Sequence, residues 1–128
     1  METTKTTNDR LSIDEAIALA GKVTDWTEEF ESEDGFLTTY CSWAYKGKVG
    51  DAEIQVIKSN GIIFYDYDLI INSKNIKVFE AQMGEFGKVK KLYNKINSAY
   101  EQKEAEKKRN IVVNEVQNVK SLLEEKLA

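Results

Sequence analysis

A chain of 128 residues is the size of one domain and long enough to bury a core without disulfides or metals. It holds 22 acidic against 18 basic residues, one cysteine, no proline and no histidine. The missing histidine removes the commonest general base, the Ser/His and Cys/His nucleophile pairs and the imidazole ligands of most zinc sites, while no apolar run approaches the roughly 18 residues of a membrane span.

The opening METTKTTNDR is polar throughout, so neither a signal peptide nor a membrane segment is expected and the protein reads as cytoplasmic. Ser12 followed by Glu15 is a capping-box pattern, and Ile13, Ala16, Ile17 and Ala20 make an apolar stripe before Gly21. A short amphipathic helix over 12–23 follows. A first strand over 26–31 places Trp26, Glu28 and Phe30 on one face, and SEDG then turns the chain into FLTTYCSWAYKG. Within that second strand Cys41 reads as a small core residue rather than a nucleophile. KGKVGD supplies the next turn, and AEIQVIK puts Ala52, Ile54 and Val56 on one face.

SNG at 59–61 turns the chain into GIIFYDYDLIINS, and NSKN turns it again into IKVFEAQ. In GIIFYDYDLIINS, Ile63, Tyr65, Tyr67, Leu69 and Ile71 share the inward parity, whereas Ile62, Phe64, Asp66, Asp68 and Ile70 share the other. The whole predicts an antiparallel meander of four or five strands between about 26 and 82. GEFG at 84–87 lacks a phosphate-loop pattern and reads as a flexible link.

From Lys88 the period changes, because Val89, Leu92, Tyr93, Ile96 and Tyr100 recur at helical spacing and would cover one side of the sheet. EQKEAEKKRN at 101–110 has Ala105 as its one apolar residue and should stand in water. Apolar spacing resumes at Val112, Val116, Val119, Leu123 and Leu127. Two architectures fit: a helical hairpin bending near Arg109 and Asn110, or one helix of about 40 residues, about 60 Å long. In the second case the seam has nothing of its own to pack on, and a partner chain, hence a homodimer, is expected. The fold class is therefore α+β, with an acidic α+β body over 1–87 and a C-terminal helical region over 88–128, in a single domain overall. The body is net −8 and the tail net +4.

Two patterns bear on function. Asp66 and Asp68, at i and i+2, lie about 7 Å apart and would suit a divalent metal aided by Glu53 or Glu80, or an acid and base across a bond. They equally suit the wet face of a strand, paired with Lys58 or Lys77. Glu28, Glu29, Glu31, Glu33 and Asp34 crowd around Phe30, as a solvated hairpin tip does and as a docking surface for a basic partner or a phosphate mimic does. Trp43, Tyr45, Phe64, Tyr65, Tyr67 and Phe79 supply a core; stacking on bases would also need Lys46, Lys48, Lys58 and Lys77 to gather on one side. The lysines of KVKKLYNK and EKKR suit helix solubility as well as phosphate contacts.

The poor catalytic inventory and the split charge point to a non-enzymatic protein-interaction module without cofactor or metal. Its partner is another protein, met through Glu28, Glu29, Glu31, Glu33, Asp34, Asp66 and Asp68, while nucleic acid is not expected on the acidic body. The bias to Lys, Ile and Asn fits an AT-rich genome of bacteria, phages or plasmids, and an inhibitor of a host defence or nucleic-acid enzyme is one form of such a module. Alternatives are a structural, adaptor or chaperone-like dimer assembled through the C-terminal helix, and a divalent-metal enzyme using Asp66 and Asp68.

Overall fold

The computed structural model describes residues 10–36, 38–61 and 63–127, with side chains to Glu125. Leu37 and the outward-facing Ile62 of the sequence reading lie outside the described residues, as does the Leu127 side chain. The elements are α1 (Ile13–Ala20), β1 (Thr27–Asp34), β2 (Thr39–Val49), β3 (Ala52–Asn60), β4 (Tyr65–Ser73), β5 (Ile76–Glu80), a short 3₁₀ turn (Met83–Glu85) and α2 (Phe86–Leu127). The strands form one antiparallel sheet in the order β1-β2-β3-β4-β5, so the expected α+β fold with its meander is the observed one. No described helix is long and apolar enough to cross a membrane.

Local chemistry explains most element ends. The Ser12 hydroxyl accepts from the Glu15 N–H at 3.1 Å and the Glu15 carboxylate accepts from the Ser12 N–H at 2.9 Å, so both orphan donors at the start of α1 are satisfied. Between β2 and β3 the chain reverses at Gly50, whose φ of 60° glycine adopts without strain. Between β4 and β5 it reverses through Lys74 and Asn75, both at positive φ, the pattern of a two-residue hairpin turn matched to strand twist.

Several boundaries differ from expectation. SEDG is not a turn: β1 continues to Asp34, because every residue from Thr27 onward pairs in register with β2. Helix α1 ends at Ala20 rather than 23, since Gly21 caps it and Val23 turns toward the sheet. GEFG does not form a loose link, for Gln82 and Glu85 cap one another and Phe86 already begins α2.

The chain divides into two compact units, Met1–Ile96 and Asn97–Ala128. In the first unit, alternation puts Tyr45, Ile54, Val56, Tyr67, Leu69, Ile71 and Phe79 on one sheet face, all buried. Val89, Leu92, Tyr93 and Ile96 of α2 are buried as well, and the Tyr93 ring lies 5.4 Å from Tyr45 and 5.8 Å from Tyr67. Lys88 meets Asp14 of α1 at 3.1 Å, and Arg10 lies 4.5 Å over the Phe79 ring while bonding Glu85 at 2.8 Å. The Leu11 N–H donates to the Val78 carbonyl at 3.1 Å, which occupies part of the β5 edge. The second unit is the continuation of α2 without a break at Arg109 and Asn110, so the hairpin alternative is not the one formed.

Candidate functional site

The opposite sheet face holds no buried residue: Thr27, Glu29, Glu31 and Glu33 of β1, Tyr40, Ser42, Ala44 and Lys46 of β2, Gln55, Ile57 and Ser59 of β3, and Asp66, Asp68 and Ile70 of β4 are half-buried or exposed. Register then places the sequence-predicted acids. Glu31, Ser42, Ser59 and Asp66 form one row across four strands, and Glu29, Ala44, Ile57 and Asp68 form the next. The β1 and β4 acids thus flank a strip of small and aliphatic side chains, three strand spacings or about 14 Å apart. Glu28 belongs to the other face, where its carboxylate accepts from the Tyr45 hydroxyl at 3.0 Å, and Asp34 accepts from the Thr39 hydroxyl at 3.1 Å. Those two carboxylates are thus hydrogen-bonded within the sheet.

Paired β2 and β3 bring the β1–β2 and β3–β4 connections to the same end of the sheet. Each is closed by a main-chain bond, Gly35 N–H to the Thr38 carbonyl at 2.7 Å and Gly61 N–H to the Phe64 carbonyl at 2.9 Å. On these tips stand Phe36, Ile63 and Phe64, 96%, 79% and 80% exposed, and Tyr40, Phe30 and Tyr65 are more than half exposed beside them. Exposed large apolar groups collected in one place, next to acids, are the mark of a contact surface. An open groove of about 770 Å³ runs through this end, lined by Phe30, Glu31, Glu33, Tyr40, Cys41 and Asn60 among others. The Asn60 side chain spans β2 and β3 there, accepting from the Cys41 N–H at 2.5 Å and donating to the Thr39 carbonyl at 2.9 Å. Cys41 is half-buried at this groove rather than a core residue.

Ile63 therefore departs from the expected inward face, whereas Tyr65 keeps it but is half exposed at the open end of the sheet. β4 begins only at Tyr65, and Tyr65 lies in the last row, where it packs on Trp43 at a centroid distance of 6.0 Å, as Phe30 does at 5.5 Å. Lys58 crosses this cluster, 4.2 Å from the Tyr65 ring and 5.3 Å from Trp43. It is consequently on the helix-covered face and does not pair with Asp66 or Asp68. Lys46, Lys48 and Lys77 each face a carboxylate, Glu29 at 2.9 Å, Glu53 at 3.8 Å and Glu80 at 2.8 Å. No basic groove forms from these four lysines. Sequence reasoning missed Phe36 and Tyr40 as surface groups; the signal was the meander itself, which sends alternate turns to one end.

Asp66 and Asp68 do share a face, as their spacing requires. Among the described residues no three Cys, Asp or Glu side chains gather in a metal-holding arrangement, and Glu53 and Glu80 hold lysines instead. Partial burial pushes the Asp68 carboxyl up from the usual carboxylate range, opposed by the Leu69 N–H, with Glu80 raising it further and Lys77 lowering it. A carboxyl raised in the folded state contributes stability that is full below its unfolded pKa and is lost as pH rises through the folded pKa. Asp68→Asn is therefore expected to raise the melting temperature slightly at neutral pH, with the gain disappearing below about pH 4. A gain that persists unchanged in acid would show that charge is not its cause.

Compared with known protein families, characterised proteins and solved structures, the chain has no match.

Proposed function

We propose that this is a non-enzymatic interaction protein that binds another protein through the hairpin end of its sheet and the acidic strip beside it. The observation that carries the reading is the gathering of Phe36, Ile63, Phe64 and Tyr40 at one end, with Glu31, Glu33 and Asp66 alongside. An apolar centre with a charged rim is the anatomy of a protein interface, and the sign of the rim calls for a basic surface on the partner. Nucleic-acid enzymes carry such surfaces, so an inhibitor of a host defence or nucleic-acid enzyme, encoded by a phage or other mobile element, is the biological form this reading takes. A non-catalytic role is supported by Glu53 and Glu80, which face lysines instead of completing a site with Asp66 and Asp68.

The test replaces Phe36 or Phe64 with a photo-cross-linking phenylalanine analogue and, as a control, Ile76 at the other end of the sheet. Adducts with a second protein are expected from positions 36 and 64 and not from 76. Reversing Glu31→Lys and Glu33→Lys together should weaken that complex about tenfold or more at low salt, because rim charges act through long-range attraction. Equal labelling from all three positions, or none, would dismiss the surface.

A second reading, an adaptor assembled through α2, is favoured by the exposure of Val112, Val116, Val119 and Leu123 in the second unit.

A further inference from the structure

The unbroken helix over Phe86–Leu127 gives its last third a single heptad frame. Val112 and Val119 take the d positions and Val116 and Leu123 the a positions, at alternating spacings of four, three and four. All are exposed, as are Val113 at e and Leu122 at g, which widen the stripe on both sides. The outer b and f positions carry Asn110, Asn114, Gln117, Ser121 and Glu124, which suit water. Upstream, the a and d positions are Gln102, Ala105 and Arg109, so the apolar seam begins at Val112 and runs about 17 Å to Leu123.

We propose that this seam is covered by further copies of the same segment, in parallel and in register, in an assembly of more than two chains. Charge decides the direction. In a parallel arrangement a g residue faces the e residue five positions later on its neighbour, which sets Glu115 against Lys120. Neither is held in an ion pair within its own helix: Glu115 is approached by the Asn118 amide at 3.5 Å. Side-chain shape decides the number. Two-stranded coils favour β-branched residues at a with leucine at d, whereas here both d positions are valine and the a positions are Val116 and Leu123. That placement, together with apolar Val113 at e and Leu122 at g, suits a core of three or four helices.

The experiment uses the full chain with Cys41→Ser as background. Light scattering across protein concentration is expected to give the mass of three or four chains, and Val116→Asp to return it to one chain while the tryptophan fluorescence of the sheet unit is unchanged. Adding Val119→Cys should yield disulfide-linked pairs under mild oxidation, since only parallel in-register helices bring this position against itself. Glu115→Lys should lower the association constant severalfold, and Glu115→Lys with Lys120→Glu should restore it. A chain that stays monomeric at all concentrations, one that stops at a dimer, or one in which Val119→Cys fails to cross-link within the assembly overturns the proposal.

Discussion

Replacing Phe79 by alanine is expected to remove about 3–5 kcal/mol of folding stability, the usual cost of emptying a buried aromatic site. The ring is 1% exposed, sits opposite Ile71 across the β4–β5 ladder and lies under the Arg10 guanidinium at 4.5 Å. Its loss leaves a cavity and also frees Arg10, which ties the segment before α1 to Glu85 at 2.8 Å. A domain of this size is stable by only about 5–15 kcal/mol, so the substitution should move the urea midpoint by a large fraction of its value. Trp26 and Trp43 both belong to the first unit and report its unfolding by fluorescence without interference from the distal helix. A loss below about 1 kcal/mol would mean that β5 is not part of the cooperative core.

The second large effect concerns Gly47, which lies inside β2 opposite Ile54 and not in a turn. A Cβ there would meet the Val23 side chain and stand 3.1 Å from the Trp26 ring. The residue is glycine because the segment leading from α1 into β1 passes directly over the strand. Gly47→Leu is expected to cost about 3 kcal/mol through overpacking, measured by the same denaturation. Gly84→Ala is the control: nothing lies within 4 Å of its Cβ, and stability should change little. An equal loss at the two positions would show that the close approach is not what sets the cost at Gly47.

The same glycine shows where reading the chain alone stops. KGKVGD holds two glycines and looks like one turn, yet only Gly50 turns, at a φ of 60°, while Gly47 makes room for residues more than twenty positions earlier. Composition cannot separate a glycine needed for its backbone angle from one needed for its missing side chain. The acids behaved similarly. Asp66 and Asp68 were legible as a same-face pair because strand periodicity is a local property, but their neighbours were not. Lys58 lies over Tyr65 and Trp43 on the covered face, a placement set by the β3–β4 register, which pairs it with Tyr67.

What the sequence by itself determined is whatever depends on neighbours along the chain. The capping box at Ser12 and Glu15, the alternation that buries Tyr67, Leu69 and Ile71, the turn within NSKN, and the helical stripe of Val89, Leu92, Tyr93 and Ile96 were all written in local pattern. What only the tertiary structure decided is whatever depends on strands meeting. Pairing β2 with β3 carried the tips at 35–38 and 61–64 to one end, and so turned scattered apolar residues, Phe36, Ile63 and Phe64, into a surface. Local sequence sets each element's own angles and periodicity, whereas register and contact across strands are settled by packing the whole sheet against its helices.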